Sequence, residues 1–121
     1  MTYDSTRTIE SAACTAVTFT IVRMSFARRL ELARRVRALA GKLEFAQAGN
    51  DGNDKVESAI LAGEIDKLYS EWGLVRIDGL QIDGYPAEPT SLLSAGPEDL
   101  CREIVAAVKR ECGLTQEERK N

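Results

Sequence analysis

The chain has 121 residues and a net charge of −3 at pH 7, with 44% apolar and 29% charged side chains. This is the size and composition of one globular domain, able to bury roughly two-thirds of the surface its unfolded form exposes, and it excludes collagenous, mucin-like and strongly disordered classes. No histidine is present, which removes Ser-His-Asp and Cys-His nucleophile systems and the commonest metal ligand together.

Residues 1–13 are polar and small without a clear period, and read as a frayed terminus that can pair as an edge strand. Val17, Phe19 and Ile21 alternate with Thr18 and Thr20, the pattern of a half-buried strand with the three apolar residues inward. The apolar stretch over 11–22 is too short to span a bilayer and is interrupted by Thr15, Thr18 and Thr20. Arg7 is the only base before it and is offset by Asp4 and Glu10, so no secretory signal is expected and the expected location is the cytoplasm. Cys14, Cys101 and Cys112 are odd in number and lack Cys-x-x-Cys spacing, so they read as small buried hydrophobes, with Cys14 left open as a reactive thiol.

Ser25 stands at an N-cap position before 26–48, a segment without Pro and rich in Ala, Leu, Arg and Glu. This predicts the first long helix, with Phe26, Leu30, Ala33, Val36, Ala40 and Leu43 as its inward stripe and Leu32 and Leu39 widening it. Gly49, Asn50, Asp51 and Gly52 predict a turn. A second helix follows, opened by Asp54 with Glu57 as a capping box, carrying Val56, Ile60, Leu61, Ile65, Leu68 and Trp72, and closed at Gly73. Val75, Ile77, Leu80 and Ile82 are punctuated by Asp78-Gly79 and Asp83-Gly84, which predict one or two hairpin turns. Thr90 is a candidate cap for a short helical turn with Leu92 and Leu93. Gly96-Pro97-Glu98-Asp99 starts a third long helix, with Leu100, Cys101, Ile104, Val105 and Val108 inward and Gly113 at its end. Residues 114–121 form a charged tail in which Thr115 and Glu118 could begin a marginal further turn. The expected fold is one α+β domain over 1–121, three principal helices packed on a small antiparallel sheet made of the N-terminal strand and a β-hairpin.

Catalytic and cofactor signals are missing. The glycines do not match a P-loop or dinucleotide fingerprint. Asp78 and Asp83 could project from one hairpin as an acid–base pair, yet each is explained as the first residue of an Asp-Gly turn. Asp51, Asn53 and Asp54 supply too few oxygens for a hard cation. The expectation is a non-enzyme with no metal and no cofactor.

Charge is distributed unevenly. Arg23, Arg28, Arg29, Arg34, Arg35, Arg37 and Lys42 face only Glu31 between positions 23 and 42, while acids dominate from Glu44 to Glu103. The basic helix can be a solvated face neutralised by the acidic second helix, a phosphate-binding surface, or a surface for acidic partner chains, foreign or a second copy. A pI near 5.1 speaks against a dedicated nucleic-acid binder and no membrane partner is indicated. Candidate partner-binding residues are Arg28, Arg29, Arg34, Arg35, Arg37 and Tyr69, the last because it lies one position off the apolar stripe; Trp72 is expected in the core.

Several local phrases occur in a characteristic order: Val17 to Ile21 leading into Met24-Ser25-Phe26-Ala27-Arg28-Arg29, then Leu68-Tyr69-Ser70-Glu71-Trp72-Gly73-Leu74, Leu80-Gln81-Ile82-Asp83-Gly84, Ala95-Gly96-Pro97-Glu98-Asp99-Leu100, and the ending Gly113 to Asn121. In this order the chain resembles small proteins of bacteriophage and prophage tail-assembly regions, especially tail assembly chaperones. The resemblance implies a non-catalytic role in the host cytoplasm, binding the tape measure protein until tail tube subunits polymerise round it. It equally admits a structural tail component. A nucleic-acid-binding regulator using the basic first helix is the alternative from a different class.

Overall fold

The structure is a computed structural model that describes residues 1–113; the charged tail over 114–121 lies outside the described residues. Its elements in chain order are β1 (Thr6–Glu10), β2 (Thr18–Val22), α1 (Phe26–Gln47), α2 (Gly52–Gly73), β3 (Leu74–Asp78), β4 (Gln81–Ile82), β5 (Tyr85–Pro86), α3 (Pro89–Ala95) and α4 (Glu98–Glu111). The fold is α+β: among the described residues there are four helices, a three-stranded antiparallel sheet and a two-stranded one. The chain divides into two compact units, Ser25–Leu68 and the remainder, and the division falls inside α2.

In the sheet unit the strand order is β1-β2-β3. The expected strand is the central one: Val17, Phe19 and Ile21 are buried, the last two completely. Residues 6–10 pair with it as an edge strand, Ile9 opposite Phe19 and Arg7 opposite Ile21. On the other face of β2, Thr20 is buried and shares a 2.9 Å hydroxyl hydrogen bond with Thr8, which satisfies both groups across the strands. The helix α4 lies over β2 and brings Leu100, Ile104, Ala107 and Val108 into the core, while α3 adds Leu92 beside β3 and β4.

Of the one or two hairpin turns expected after α2, one forms. β3 joins β2, with Ile77 opposite Phe19 and Arg76 opposite Thr20, and a register shift follows between Thr20 and Ile21. The reason is burial: β2 can cover Leu74 and Ile77 inside the core, whereas a two-residue β4 cannot. Asp78-Gly79 therefore leads the chain out of the sheet. Gly79 has φ +87°, and a side chain there would strike the carbonyl oxygen of Ala16. The true hairpin turn is Asp83-Gly84, both at positive φ, between β4 and β5.

Helix starts also differ in detail. Asp51, not Asp54, caps α2, accepting from the backbone N–H of Asp54 at 2.8 Å. Glu88, not Thr90, precedes α3, where Pro89 takes the first helical position and Ser91 completes a capping box. Pro97 is the cap residue of α4 and Glu98 and Asp99 occupy its first turn, facing the positive end of its dipole.

Candidate partner-binding surface on the helix pair

The second unit consists of α1, a short turn and most of α2. Ser25 caps α1 by accepting from the backbone N–H of Arg28 at 3.2 Å, and Gly49 leaves room for the Asp54 side chain at the turn. Apolar residues recur on more than one face of each helix, so packing decides which of them turn inward. On α1 the covered arc is Leu32, Val36, Leu39, Ala40, Leu43 and Ala46. Phe26, Leu30 and Ala33, read from the sequence as inward, are exposed, Phe26 at 87%, and Phe45, outside that stripe, is 83% exposed. On α2, Leu61 is buried and Ile65, Leu68 and Trp72 are half-buried, while Val56 and Ile60 are exposed. Trp72, expected in the core, is thus only partly covered.

Large exposed aromatics at the two ends of one helix are uncommon on a protein surface without a use, and here they are set among arginines. Arg34 and Arg37 lie on the same outward side as Phe26, Leu30 and Phe45 by helical spacing, and both are exposed. Arg29 and Arg35 are exposed too, Arg35 paired with Glu31 at 2.9 Å one turn before it. Arg28 is half-buried near the start of the covered arc. The five arginines therefore do not form one continuous row: two flank the exposed apolar residues and the others point elsewhere.

Tyr69 is a correction. It is 6% exposed, and the Lys109 ammonium stands 5.4 Å from its ring centroid. The last turn of α2 belongs to the sheet unit, and the face it covers there differs from the stripe that runs over 56–68. Tyr69 and Gly73, one turn apart, face α4: a side chain at Gly73 would strike Val108. Tyr69 is a core residue of the sheet unit, not a contact residue.

Elsewhere the polar groups are engaged structurally. The Glu103 carboxylate accepts from Ser11 Oγ at 2.5 Å and from the backbone N–H groups of Ala12 at 2.6 Å and Ala13 at 3.4 Å, fastening the β1–β2 loop to α4. Partial burial pushes its pKa up, but these hydrogen bonds and the Arg110 charge outweigh it and hold the carboxyl below the usual range. Asp78 pairs with Arg76 at 3.2 Å, and Asp83 sits in its turn at φ 54°. Cys112 is buried and Cys14 and Cys101 are half-buried. Burial, aided by the Glu98 charge, raises the Cys101 thiol above its ordinary value and makes it a poor nucleophile. One cleft of about 340 Å³ is lined by Arg7, Ile9, Ala107, Arg110 and Glu111, with Arg7 and Glu111 3.8 Å apart. Another of about 380 Å³ follows the β1–β2 loop from Glu10 to Thr18. Among the described residues no group of three or more His, Cys, Asp or Glu could hold a metal ion, and no helix is long and apolar enough to cross a membrane. Comparison with known proteins finds no matching family model, no matching curated protein and no matching solved structure.

Proposed function

We propose that this chain is a non-catalytic tail-assembly protein of a phage or prophage that binds partner proteins in the host cytoplasm, with the outward face of α1 as its docking surface and the tape measure protein as its client. The observation that carries this reading is the exposure of Phe26, Leu30 and Phe45 beside Arg34 and Arg37 on a helix whose opposite arc is already covered. An apolar strip edged by arginines is complementary to an amphipathic helix with acidic flanks. Aromatic and arginine side chains are also the types that dominate binding energy at protein interfaces. Bare phosphate recognition would not need the aromatics, which favours a protein client over nucleic acid. The resemblance in the order of the sequence phrases supplies the tail-assembly context.

Co-expression with the product of the next downstream gene, comparing wild type with Arg34→Glu/Arg37→Glu, tests it. The expected result is a soluble complex that co-purifies with wild type and is weakened at least about tenfold by the reversal. A neighbour equally soluble without this chain, or captured equally by the variant, would overturn the proposal. Steeply salt-sensitive binding to duplex DNA, lost in the same variant, would replace it with the regulator reading.

A further inference from the structure

The outward faces of α1 and α2 carry the same spacing. On α1 the line is Phe26, Leu30, Ala33 and Arg37; on α2 it is Val56, Ile60, Gly63 and Lys67, and all eight residues are exposed. Each steps four, three and four residues, the spacing of a helix–helix seam. At about 100° per residue, each line is turned by roughly a third of a turn or more from the covered arc of its own helix. A chain that covers Leu32 and Leu61 cannot also close its own two seams on each other.

We propose that the α1 seam of one copy receives the α2 seam of a second copy, with the helices antiparallel. In that direction Leu30 meets Gly63 and Ala33 meets Ile60, so at the centre of the seam each large residue falls opposite a small one, with Phe26 beside Lys67 at one end. The space above Gly63 is open in the single chain. Arg37 then meets Val56, and Arg34, one position outside the seam, lies beside Glu57. The parallel direction would set Arg37 against Lys67 and leave a void between Ala33 and Gly63, a like-charge contact and a packing defect together. Charge agrees with the same pairing: beside its seam the α1 face carries Arg34, and beside its own the α2 face carries Glu57 and Glu64. Each copy offers both halves of the contact, so the pairing closes as a two-fold dimer where both halves engage one partner and runs head to tail where they engage two.

This inference shares the α1 face with the proposed function and adds to it. The second copy's α2 stands in for the client, so a client helix would have to displace it, and a monomeric chain with an intact α1 face would bind client more readily.

Sedimentation velocity of the full chain tests it, at about 100 μM and low ionic strength, where charge complementarity counts most. The expected mass exceeds the 13.3 kDa of one chain and falls as salt is added. Arg34→Glu/Arg37→Glu alone and Glu57→Arg/Glu64→Arg alone are each expected to be monomeric. An equimolar mixture of the two is expected to associate again, since the reversed α1 of one matches the reversed α2 of the other. Gly63→Leu, which fills the hole opposite Leu30 and favours the helix, should abolish association while leaving the fold intact. A monomeric wild type, an assembly indifferent to both reversals, or a mixture that stays monomeric would overturn the inference. The Glu57→Arg/Glu64→Arg variant keeps the α1 face, so its capture of the downstream gene product separates failure of this inference from failure of the proposed function.

Discussion

The two units use apolar residues in opposite ways. In the sheet unit, Phe19, Ile21, Leu92, Leu100 and Ile104 are fully buried, and the loops are fastened to the core by Glu103 and by the close passage of Gly79 past Ala16. In the helix pair, Phe26, Phe45, Val56 and Ile60 are at least half exposed, and only Leu32, Ala46 and Leu61 are buried. The first unit therefore gains its stability from its own packing, and the second holds apolar surface back from folding. Evenly spaced apolar residues on a helix do not distinguish these two uses; only which arc is covered does.

The largest expected effect tests that contrast directly. Phe19→Ala should cost about 3–5 kcal/mol in denaturant unfolding, because it empties a fully buried site between strands and helix. Phe26→Ala, a change of the same size at an exposed site, should stay within about 0.5 kcal/mol of wild type. Equal losses at the two positions would break the comparison. Next, Gly73→Ala places a methyl against Val108 where α2 ends on α4, and should destabilise by about 1–3 kcal/mol through overpacking. A third effect depends on pH. The Glu103 carboxyl titrates below its unfolded value, so its contribution is fully present above the usual carboxylate range and is lost as pH falls through the lowered folded pKa. Glu103→Gln should destabilise at neutral pH and flatten the acid limb of the stability curve, with the protection of the Ala12 and Ala13 amides in hydrogen exchange falling in parallel. The smallest effect is a gain: Ser70 is fully buried and its hydroxyl has no hydrogen-bond partner among the described residues. Ser70→Ala should raise stability by about 1 kcal/mol, read as a higher midpoint with an unchanged denaturant slope.

Much of this fold is legible in the sequence because its punctuation is local. Ser25, the cluster from Gly49 to Gly52, and Gly96-Pro97-Glu98-Asp99 mark helix boundaries to within about two residues of those observed. Strand pairing is not local. Asp78-Gly79 has the residues of a hairpin turn, but the strand before it is drawn to β2, about sixty residues back, by the burial of Leu74 and Ile77. The proposed docking face is half legible. The arginines announce themselves by composition, and Arg34 and Arg37 do stand on an exposed face. Which apolar set turns inward was not readable, since Phe26, Leu30 and Ala33 fit helical spacing as well as Leu32, Val36, Leu39 and Leu43 do. Tyr69 misleads for a related reason: near the end of α2 the covering neighbour is α4, so a position off the stripe of the preceding turns becomes buried.

The measurement that bears most directly on the account pairs stability with capture in one variant. Phe26→Ser/Phe45→Ser removes the two most exposed aromatic side chains of α1 and leaves its covered arc untouched. The account expects a thermal midpoint within a few degrees of wild type and loss of co-purification with the downstream gene product. A midpoint that collapses would show these residues to belong to the folding core, and undiminished capture would show that the outward face of α1 is not where the partner binds.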